Sequence, residues 1–244
     1  MPARFIPSAV ALIDDVLSRH PHVAVFDCDG TLWSNNSGLD FMYWEIEEGL
    51  LPKAAVDMLL ARYDLYLKGE VSEYDICGEM VSCHAELSVA EIRAACKRFA
   101  EERILPNIFP EMLELVRRVR EQGADIWAVT STASWIVWEG LVPFGIDMDR
   151  ILGVELVCAN ERATAELIAV PTDEHKAYAL ERAGIPYPDV VFGNSIHDLH
   201  MLEIAKTPYA INPNPDLRDV AEERGWSVYE PRGGNRQYAI GNTQ

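Results

Sequence analysis

Short apolar runs alternate with amphipathic helical segments along most of this chain, as in proteins built from repeated strand–helix–strand units. The run Val23-Ala-Val-Phe26 is β-branched and aromatic without alternating polar residues, as in a strand buried on both faces. Asp125-Ile-Trp-Ala-Val129 and Val190-Val-Phe192 have the same character. The pattern therefore predicts an α/β fold, with a doubly wound parallel sheet and helices on both faces.

Other elements are predicted in the same rhythm. Ser8 can cap a first helix that reaches about His20. The tail from Gly233 is expected to be loose. The remaining predicted elements are helices at Glu111–Gln122, Trp135–Leu141, Thr172–Ala183, Leu199–Ala205 and Leu217–Arg224, and strands at Val154–Val157, Tyr209–Ile211 and Ser227–Tyr229.

One long stretch breaks the alternation. From Ser37 to about Arg103, apolar residues recur at spacings of three and four, which predicts several consecutive helices and no strand. We therefore predict a smaller all-helical cap domain at 36–105 and an α/β catalytic core formed by 1–35 and 106–244.

Composition excludes several classes of partner. Lys and Arg total 21 against 39 Asp and Glu, and the formal net charge of −18 repels nucleic acid and anionic membrane surfaces. No apolar run approaches the ~20 residues of a membrane span. The five cysteines contain no C-x-x-C pair, so we expect a cytoplasmic protein without disulfides or zinc. The oligomeric state stays open.

Two carboxylates follow the first buried strand. Asp27 and Asp29 are separated by one residue, and Gly30 lets the backbone turn and bring both acids to one mouth of the sheet. In such a pair, Asp27 can attack phosphorus while Asp29 protonates the leaving alkoxide and later activates water. A lone D-x-D is more often a simple strand-to-loop turn, so the pair alone leaves both interpretations open.

The full string Val23-Ala-Val-Phe-Asp-Cys-Asp-Gly-Thr-Leu32 resembles the first motif of the haloacid dehalogenase superfamily, a hydrophobic strand followed by D-x-D-G-T. The resemblance implies that Asp27 is a nucleophile that forms an aspartyl phosphate. It further implies that Asp29 is the general acid/base and that its backbone carbonyl binds Mg²⁺. Dehalogenases of the family lack the second acid, so Asp29 favours phosphoryl transfer.

Two further segments resemble the second and third family motifs, in the family order. Val129-Thr-Ser-Thr132 is a strand end before a helix, which by resemblance puts Thr130 and Ser131 on the substrate phosphate; helix capping is the alternative from the residues alone. Lys176, at the start of a predicted helix, matches the lysine that offsets charge on the nucleophile and the phosphate. Without the resemblance, a solvated surface lysine is the default.

The fourth segment, Gly193-Asn-Ser-Ile-His-Asp198-Leu-His-Met-Leu202, resembles G-D-x-x-x-D followed by a helix with Met or Leu. Asn194 stands where the family pattern has its first Asp. Mg²⁺ prefers hard oxygen donors, and an amide oxygen serves as a neutral ligand. The resemblance thus implies a Mg²⁺ site formed by Asp27, Asp29, Asn194 and Asp198.

The helical insert lies where phosphoserine phosphatase-like members carry their cap domain. Candidates to contact the organic part of the substrate are Trp33, Asn35, Asn36, Tyr43, Arg62 and Tyr66. For Arg62, a helix-surface salt bridge is the alternative. Phosphoserine phosphatases usually have a Glu a few residues after the first motif, where this chain has Asn35-Asn36-Ser37, which argues against phosphoserine itself.

The expected function is Mg²⁺-dependent hydrolysis of a small-molecule phosphate ester. The motifs do not separate it from a phosphotransferase or mutase of the same fold, in which a second hydroxyl replaces water. A third possibility is a ligand-binding protein that lost turnover through Asn194.

Overall fold

A single sheet organises the computed structural model of this chain, which describes residues 3–232. The sheet order is β1-β8-β7-β6-β2-β3-β4-β5, and neighbouring strands are parallel except for the antiparallel pair β4–β5. The strands are β1 (Arg4–Phe5), β2 (Val23–Phe26), β3 (Asp125–Ala133), β4 (Ile151–Ala159), β5 (Arg162–Ala169), β6 (Val190–Gly193), β7 (Thr207–Ile211) and β8 (Ser227–Tyr229). The predicted tail from Gly233 lies outside the described residues.

Helices fill the connections between strands. Ser8 caps the first helix as predicted, since its hydroxyl accepts a hydrogen bond from Ala11 N. The helices are α1 (Ala9–Leu17), α2 (Ser37–Glu47), α3 (Lys53–Leu67), α4 (Glu73–Ser82), α5 (Val89–Phe99), α6 (Pro110–Glu121), α7 (Ser134–Leu141), α8 (Glu174–Arg182), α9 (Leu199–Glu203) and α10 (Pro215–Arg224). A π-helical turn, Ala100–Ile104, extends α5.

Alternating side chains of the central strands enter two separate cores. Ala24 and Phe26 belong to the cluster that includes α1 and α6, whereas Val25 belongs to the cluster that includes α8, α9 and α10. Successive strand residues point to opposite faces, so each face of the sheet is covered by helices. The predicted doubly wound α/β fold is confirmed.

The strand register brings the predicted motifs level with one another. Phe26 pairs with Ala128 of β3 on one side and with Phe192 of β6 on the other. The residues that follow these three therefore emerge at the same edge of the sheet. This edge is also where the chain order reverses, since β3 and β4 lie on one side of β2 and β6 to β8 on the other. Ligands bind at such points in open α/β sheets.

Helices α2 to α5 occupy the stretch predicted as the cap, and no strand interrupts them within 37–99. They pack on the core through α4 against β4 and β5 and through α5 against α7. Backbone hydrogen bonds join the segment 86–89 to the turn between β4 and β5: Glu86 N donates to Ala163 O, and Val89 N to Glu161 O. The division into domains at 36 and 105 stays a prediction.

The β4–β5 hairpin departs from the sequence prediction, which had only Val154–Val157 as a strand in this region. The turn places Asn160 and Glu161 at φ of 51° and 62°. Left-handed pairs of this kind favour Asn-Gly or Asp-Gly, so the Asn-Glu sequence gave little indication of a hairpin. Within residues 3–232, no helix is both long enough and apolar enough to span a bilayer.

Candidate active site

Asp27 lies directly after β2 with both carboxylate oxygens engaged. Oδ1 accepts a hydrogen bond from Lys176 Nζ at 2.8 Å, and Oδ2 accepts one from Thr31 Oγ1 at 3.0 Å. Its backbone N–H continues the strand pairing to Phe192 O at 2.9 Å. The side chain is buried, so its position is fixed from three sides.

Asp29 follows two residues later and is held by three donors. Its Oδ1 accepts hydrogen bonds from Trp33 Nε1 at 2.6 Å and from the backbone N of Ser37 at 2.8 Å. Its Oδ2 accepts one from Thr132 Oγ1 at 2.8 Å. Burial raises the pKa of Asp29. The hydrogen-bond donors oppose that rise, and Ser37 has the largest opposing effect. A carboxyl with an elevated pKa suits a proton donor.

Lys176 joins α8 to the strand edge. Its ammonium is buried and donates to Asp27 Oδ1 and to Asp198 Oδ1. Burial alone would lower the pKa of Lys176, but the two carboxylates outweigh it and hold the pKa above its ordinary value. Asp198 is fully buried, and its Oδ2 accepts from the backbone N of Asn194 at 2.9 Å and of Ser195 at 3.0 Å. Asp27, Asp29, Lys176 and Asp198 form the active-site cluster.

The active-site cluster holds more negative than positive charge. Burial raises the pKa of Asp27 to about 7; Asp198 adds to the rise and Lys176 opposes it. Three carboxylates against one ammonium leave a site that a divalent cation would stabilise. The oxygen donors of Asp27, Asp198, Asn194 and the Asp29 backbone fit Mg²⁺ in kind, since hard carboxylate, carbonyl and amide oxygens are its usual ligands.

Gly30 lets Asn194 approach the D-x-D turn. Its φ is +74°, and a Cβ added there would lie 1.9 Å from Asn194 Nδ2. Gly193 has a similar role, because an added Cβ would lie 2.7 Å from the Cβ of Asp198. Gly30 thus lets the first and fourth motifs come into contact, and Gly193 lets Asp198 pack back onto the strand end within the fourth motif.

The strand end at β3 places three neighbouring hydroxyl groups in different surroundings. Thr130 is buried, and its hydroxyl accepts from Thr132 N at 3.1 Å, while Ser131 Oγ donates to Pro171 O at 3.2 Å. The hydroxyl that contacts the active-site cluster is that of Thr132, which donates to Asp29 and was not singled out from the sequence. Its only signal was membership of the same Thr-Ser-Thr strand end. Phosphate binding by Thr130 and Ser131 stays a prediction.

Comparison with known proteins agrees with this geometry. The sequence profile of haloacid dehalogenase-like hydrolases matches residues 24–203. The chain belongs to this family.

Two curated relatives share about a quarter of their residues with this hydrolase. A histidinol-phosphatase of Neisseria meningitidis is 25% identical over 221 residues, which cover 85% of this chain and 97% of the relative. A phosphoserine phosphatase of Mycobacterium tuberculosis is 25% identical over 233 residues, covering 89% of this chain and 73% of the relative.

A solved structure, of a phospho-aspartyl intermediate analogue of phosphoserine phosphatase, has the same fold. It superposes with a TM-score of 0.58 at 17% identity and covers 87% of this chain and 94% of its own. The prediction of a haloacid dehalogenase-type phosphatase with a phosphoserine phosphatase-like fold is confirmed.

Two residues predicted to contact substrate lie outside the active-site cluster. Asn36 is exposed and caps α2, its Oδ1 accepting from Leu39 N at 3.0 Å. Arg62 on α3 forms an ion pair with Glu79 on α4, with Nη2 and Oε1 2.7 Å apart. The salt bridge weighed as the alternative for Arg62 is therefore the arrangement found. Trp33, by contrast, contacts Asp29.

A contact between cap and core at the rim had no sequence signal of its own. Asp173 adopts φ 49° and ψ −130°, a conformation that non-glycine residues rarely hold. Its Oδ1 lies 2.7 Å from His197 Nδ1, and His197 Nε2 lies 3.8 Å from Glu73 Oε2 on α4. Asp173 thus holds the His197 side chain, which lies next to Asp198 in the sequence and faces Glu73 of the cap.

Proposed function

We propose that this hydrolase is a Mg²⁺-dependent phosphomonoesterase that cleaves a small phosphate ester through an aspartyl phosphate on Asp27. The observation that carries the proposal is the pairing of two differently held carboxylates at one strand end. Asp27 is fixed by Lys176 and Thr31, and Asp29 by Trp33, Ser37 and Thr132.

In the first step, a carboxylate oxygen of Asp27 forms a bond to phosphorus as the bond to the leaving alkoxide breaks. Asp29 gives its proton to that alkoxide, a role that suits its raised pKa. Lys176 stabilises negative charge on Asp27 and on the phosphoryl oxygens.

In the second step, Asp29 takes a proton from water, which attacks the phosphorus of the acyl phosphate. Inorganic phosphate leaves, and Asp27 is regenerated as a carboxylate. Mg²⁺, held by Asp27, Asp198, Asn194 and the Asp29 backbone, would neutralise charge on the phosphate and favour the ionised form of Asp27.

The relatives support a small substrate. One is named for histidinol phosphate and one for phosphoserine, both small phosphate monoesters. In this structure Asp27 is 4% exposed and Lys176 2% exposed. A cluster so enclosed excludes bulk water once substrate is bound, and it disfavours phosphate on a macromolecule.

The test is phosphate release from a panel of small phosphomonoesters with Mg²⁺, with EDTA, and with an added acceptor alcohol. We expect Mg²⁺-dependent release and no alkyl phosphate product. Asp27→Asn should lower turnover by about 10⁴-fold or more, because an amide does not form the acyl phosphate. A phosphorylated acceptor would instead identify a phosphotransferase. If Asp27→Asn kept a few per cent of wild-type turnover, Asp27 would not be the nucleophile.

A further inference from the structure

A second buried ionic group lies in the cap, away from the active-site cluster. Glu45 on α2 is 1% exposed, and its Oε2 lies 2.7 Å from Nε2 of His84, just after α4. His84 Nδ1 lies 2.9 Å from Val81 O, a carbonyl that only accepts, so Nδ1 carries a proton. We call Glu45 and His84 the cap pair.

The second oxygen of Glu45 is buried without a partner. Among the described residues, nothing donates a hydrogen bond to Glu45 Oε1. A buried acceptor in this state is unfavourable unless some molecule supplies a donor. The proton of the Glu45–His84 hydrogen bond lies between Oε2 and Nε2, whichever of the two residues carries it. Oε1 therefore has no proton and acts only as an acceptor.

Glu45 lines a small cavity between the cap and the core. The cavity is about 20 Å³, about the space of one water molecule. It is bounded by Gly38 and Phe41 of α2, by Met80 of α4 and by Thr132 of β3. Of the described side chains that line it, Glu45 is the one that carries a carboxylate.

One wall of the cavity, at Thr132, contacts the active-site cluster. Thr132, which lines it, donates to Asp29, the residue that would protonate the leaving alkoxide. Helix α2 approaches closely here, since a Cβ on Gly38 would lie 2.8 Å from Thr132 Oγ1. From Gly38 to Glu45 the helix rises by roughly 10 Å, so Oε1 lies several bonds from the ester oxygen of a bound substrate.

We propose that Glu45 Oε1 selects substrates whose alcohol carries a hydrogen-bond donor, an ammonium or a hydroxyl group, several bonds from the phosphate ester. The inference rests on the proposed function, because it concerns the leaving group of that reaction. A methyl group in the cavity would displace a water molecule without replacing the hydrogen bond that water can donate to Oε1. An ammonium or hydroxyl group would donate that hydrogen bond itself.

A metal site is the other reading of these residues. Glu45, Cys83 and His84 place potential ligand atoms within 4.8 Å of one another. However, Glu45 contacts Nε2 at hydrogen-bond distance, whereas Cys83 Sγ lies 3.7 Å from Nδ1 on the other side of the ring. The carboxylate and the thiol therefore face opposite nitrogens of the His84 ring, so a single ion bound to one of these nitrogens would lie far from one of the two other ligands. The geometry favours an acceptor pair over a metal centre.

The experiment compares phosphate release from 4-aminobutyl, 4-hydroxybutyl and n-pentyl phosphate, which differ only in the terminal group. We expect kcat/KM for at least one donor-bearing ester to exceed that for pentyl phosphate by about 10- to 100-fold. Equal rates for all three would overturn the inference while leaving the phosphatase intact. No release from any of them, nor from the wider panel, would overturn the proposed function instead.

Variants assign the preference to Glu45. Glu45→Leu should bring the donor-to-methyl ratio close to one. Glu45→Gln keeps an acceptor and loses the charge, so it should retain a hydroxyl preference and lose an ammonium preference. Glu47→Gln, exposed on the same helix, is the matched control and should keep the wild-type ratio. Because each ratio is measured within one preparation, partial misfolding does not affect it.

An unchanged ratio in Glu45→Leu would refute the assignment to Glu45. Thermal stabilisation by Zn²⁺ that disappears in Cys83→Ser would identify a metal centre at the cap pair and overturn the proposal.

Discussion

The active-site cluster and the cap pair are both buried ionic groups, but they leave different demands unmet. In the active-site cluster all six carboxylate oxygens accept hydrogen bonds, yet three carboxylates face one ammonium. In the cap pair, one carboxylate faces one imidazole, yet one oxygen has no donor among the described residues. The active-site cluster lacks positive charge, and the cap pair lacks a hydrogen-bond donor for Glu45 Oε1. This difference is the basis for the separate roles proposed for the two groups, phosphoryl transfer for the first and recognition of the alcohol for the second.

After Asp27→Asn, Asp29→Ala should have the largest effect, since it removes proton transfer from the active-site cluster. We expect turnover of an alkyl phosphate to fall by roughly 10²–10⁴-fold, with a much smaller loss for p-nitrophenyl phosphate, whose leaving group needs no proton. Steady-state kinetics on both substrates provide the measurement. Asp57→Ala, at an exposed site on α3, is the control. Equal losses on both substrates would contradict the acid role.

His84→Leu should break the cap pair and leave Glu45 buried beside an apolar side chain. The free energy of unfolding should fall by roughly 3–5 kcal/mol, the usual cost of removing one partner of a buried pair. Glu45→Leu/His84→Leu should recover most of that loss, because no charge is then left buried. Urea denaturation of the three proteins checks this. A double variant as unstable as the single one would show that packing, not charge, dominates here.

The charge excess of the active-site cluster should appear as a pH dependence of stability without metal. The pKa of Asp27 is about 7 in the folded chain against 3.8 as reference, so between these values the folded state keeps a proton that the unfolded state has lost. Stability should therefore fall as the pH rises from about 4 to about 7, by roughly 4 kcal/mol. In EDTA, Asp27→Asn should reduce the dependence of stability on pH. The measurement is the midpoint of urea denaturation at a series of pH values. An unchanged slope would remove Asp27 as its source.

Asn194→Asp should have the smallest effect, because it adds one more negative charge to a group already in excess. Two unit charges at about 4 Å attract by roughly 4 kcal/mol at an effective dielectric near 20, and desolvation cancels much of this. A net ~1–3 kcal/mol would tighten Mg²⁺ binding by about 5- to 150-fold. Magnesium titration of activity measures it. If only the Asp form turns over, the Asn194 chain is an inactive version of the fold; equal midpoints would make Asn194 a tolerated neutral ligand.

Three members of the active-site cluster could be predicted from the sequence because each lies in a segment that follows a strand end. Asp27, Asp29 and Asp198 stand in motifs whose order matches the family, and parallel strands bring their ends to one edge. The fold followed from the same alternation of strand and helix. Lys176 needed the resemblance, since a lysine at a helix start is ordinarily solvated.

The cap pair could not be predicted, because nothing local marks it. Glu45 and His84 lie 39 positions apart, with α3 and α4 between them. Helical periodicity places Glu45 on the same face as Phe41, but a glutamate on an amphipathic helix is usually exposed. Its burial depends on tertiary packing that periodicity does not encode. For Asn36 and Arg62 the structure shows local partners, Leu39 N and Glu79, and their predicted substrate contacts stay a prediction.

The hydrogen bonds between segment 86–89 and the β4–β5 turn determine how the cap can move. Through β4, that turn is continuous with the core sheet, which also carries Thr132. These hydrogen bonds anchor this side of the cap to the core sheet. At the start of α2, the cap meets the active-site cluster through Ser37. There the Ser37 amide holds Asp29. A cap movement that displaced Ser37 would therefore also remove a hydrogen bond from Asp29, so opening at this end of α2 would loosen the proton donor and closure would fix it again.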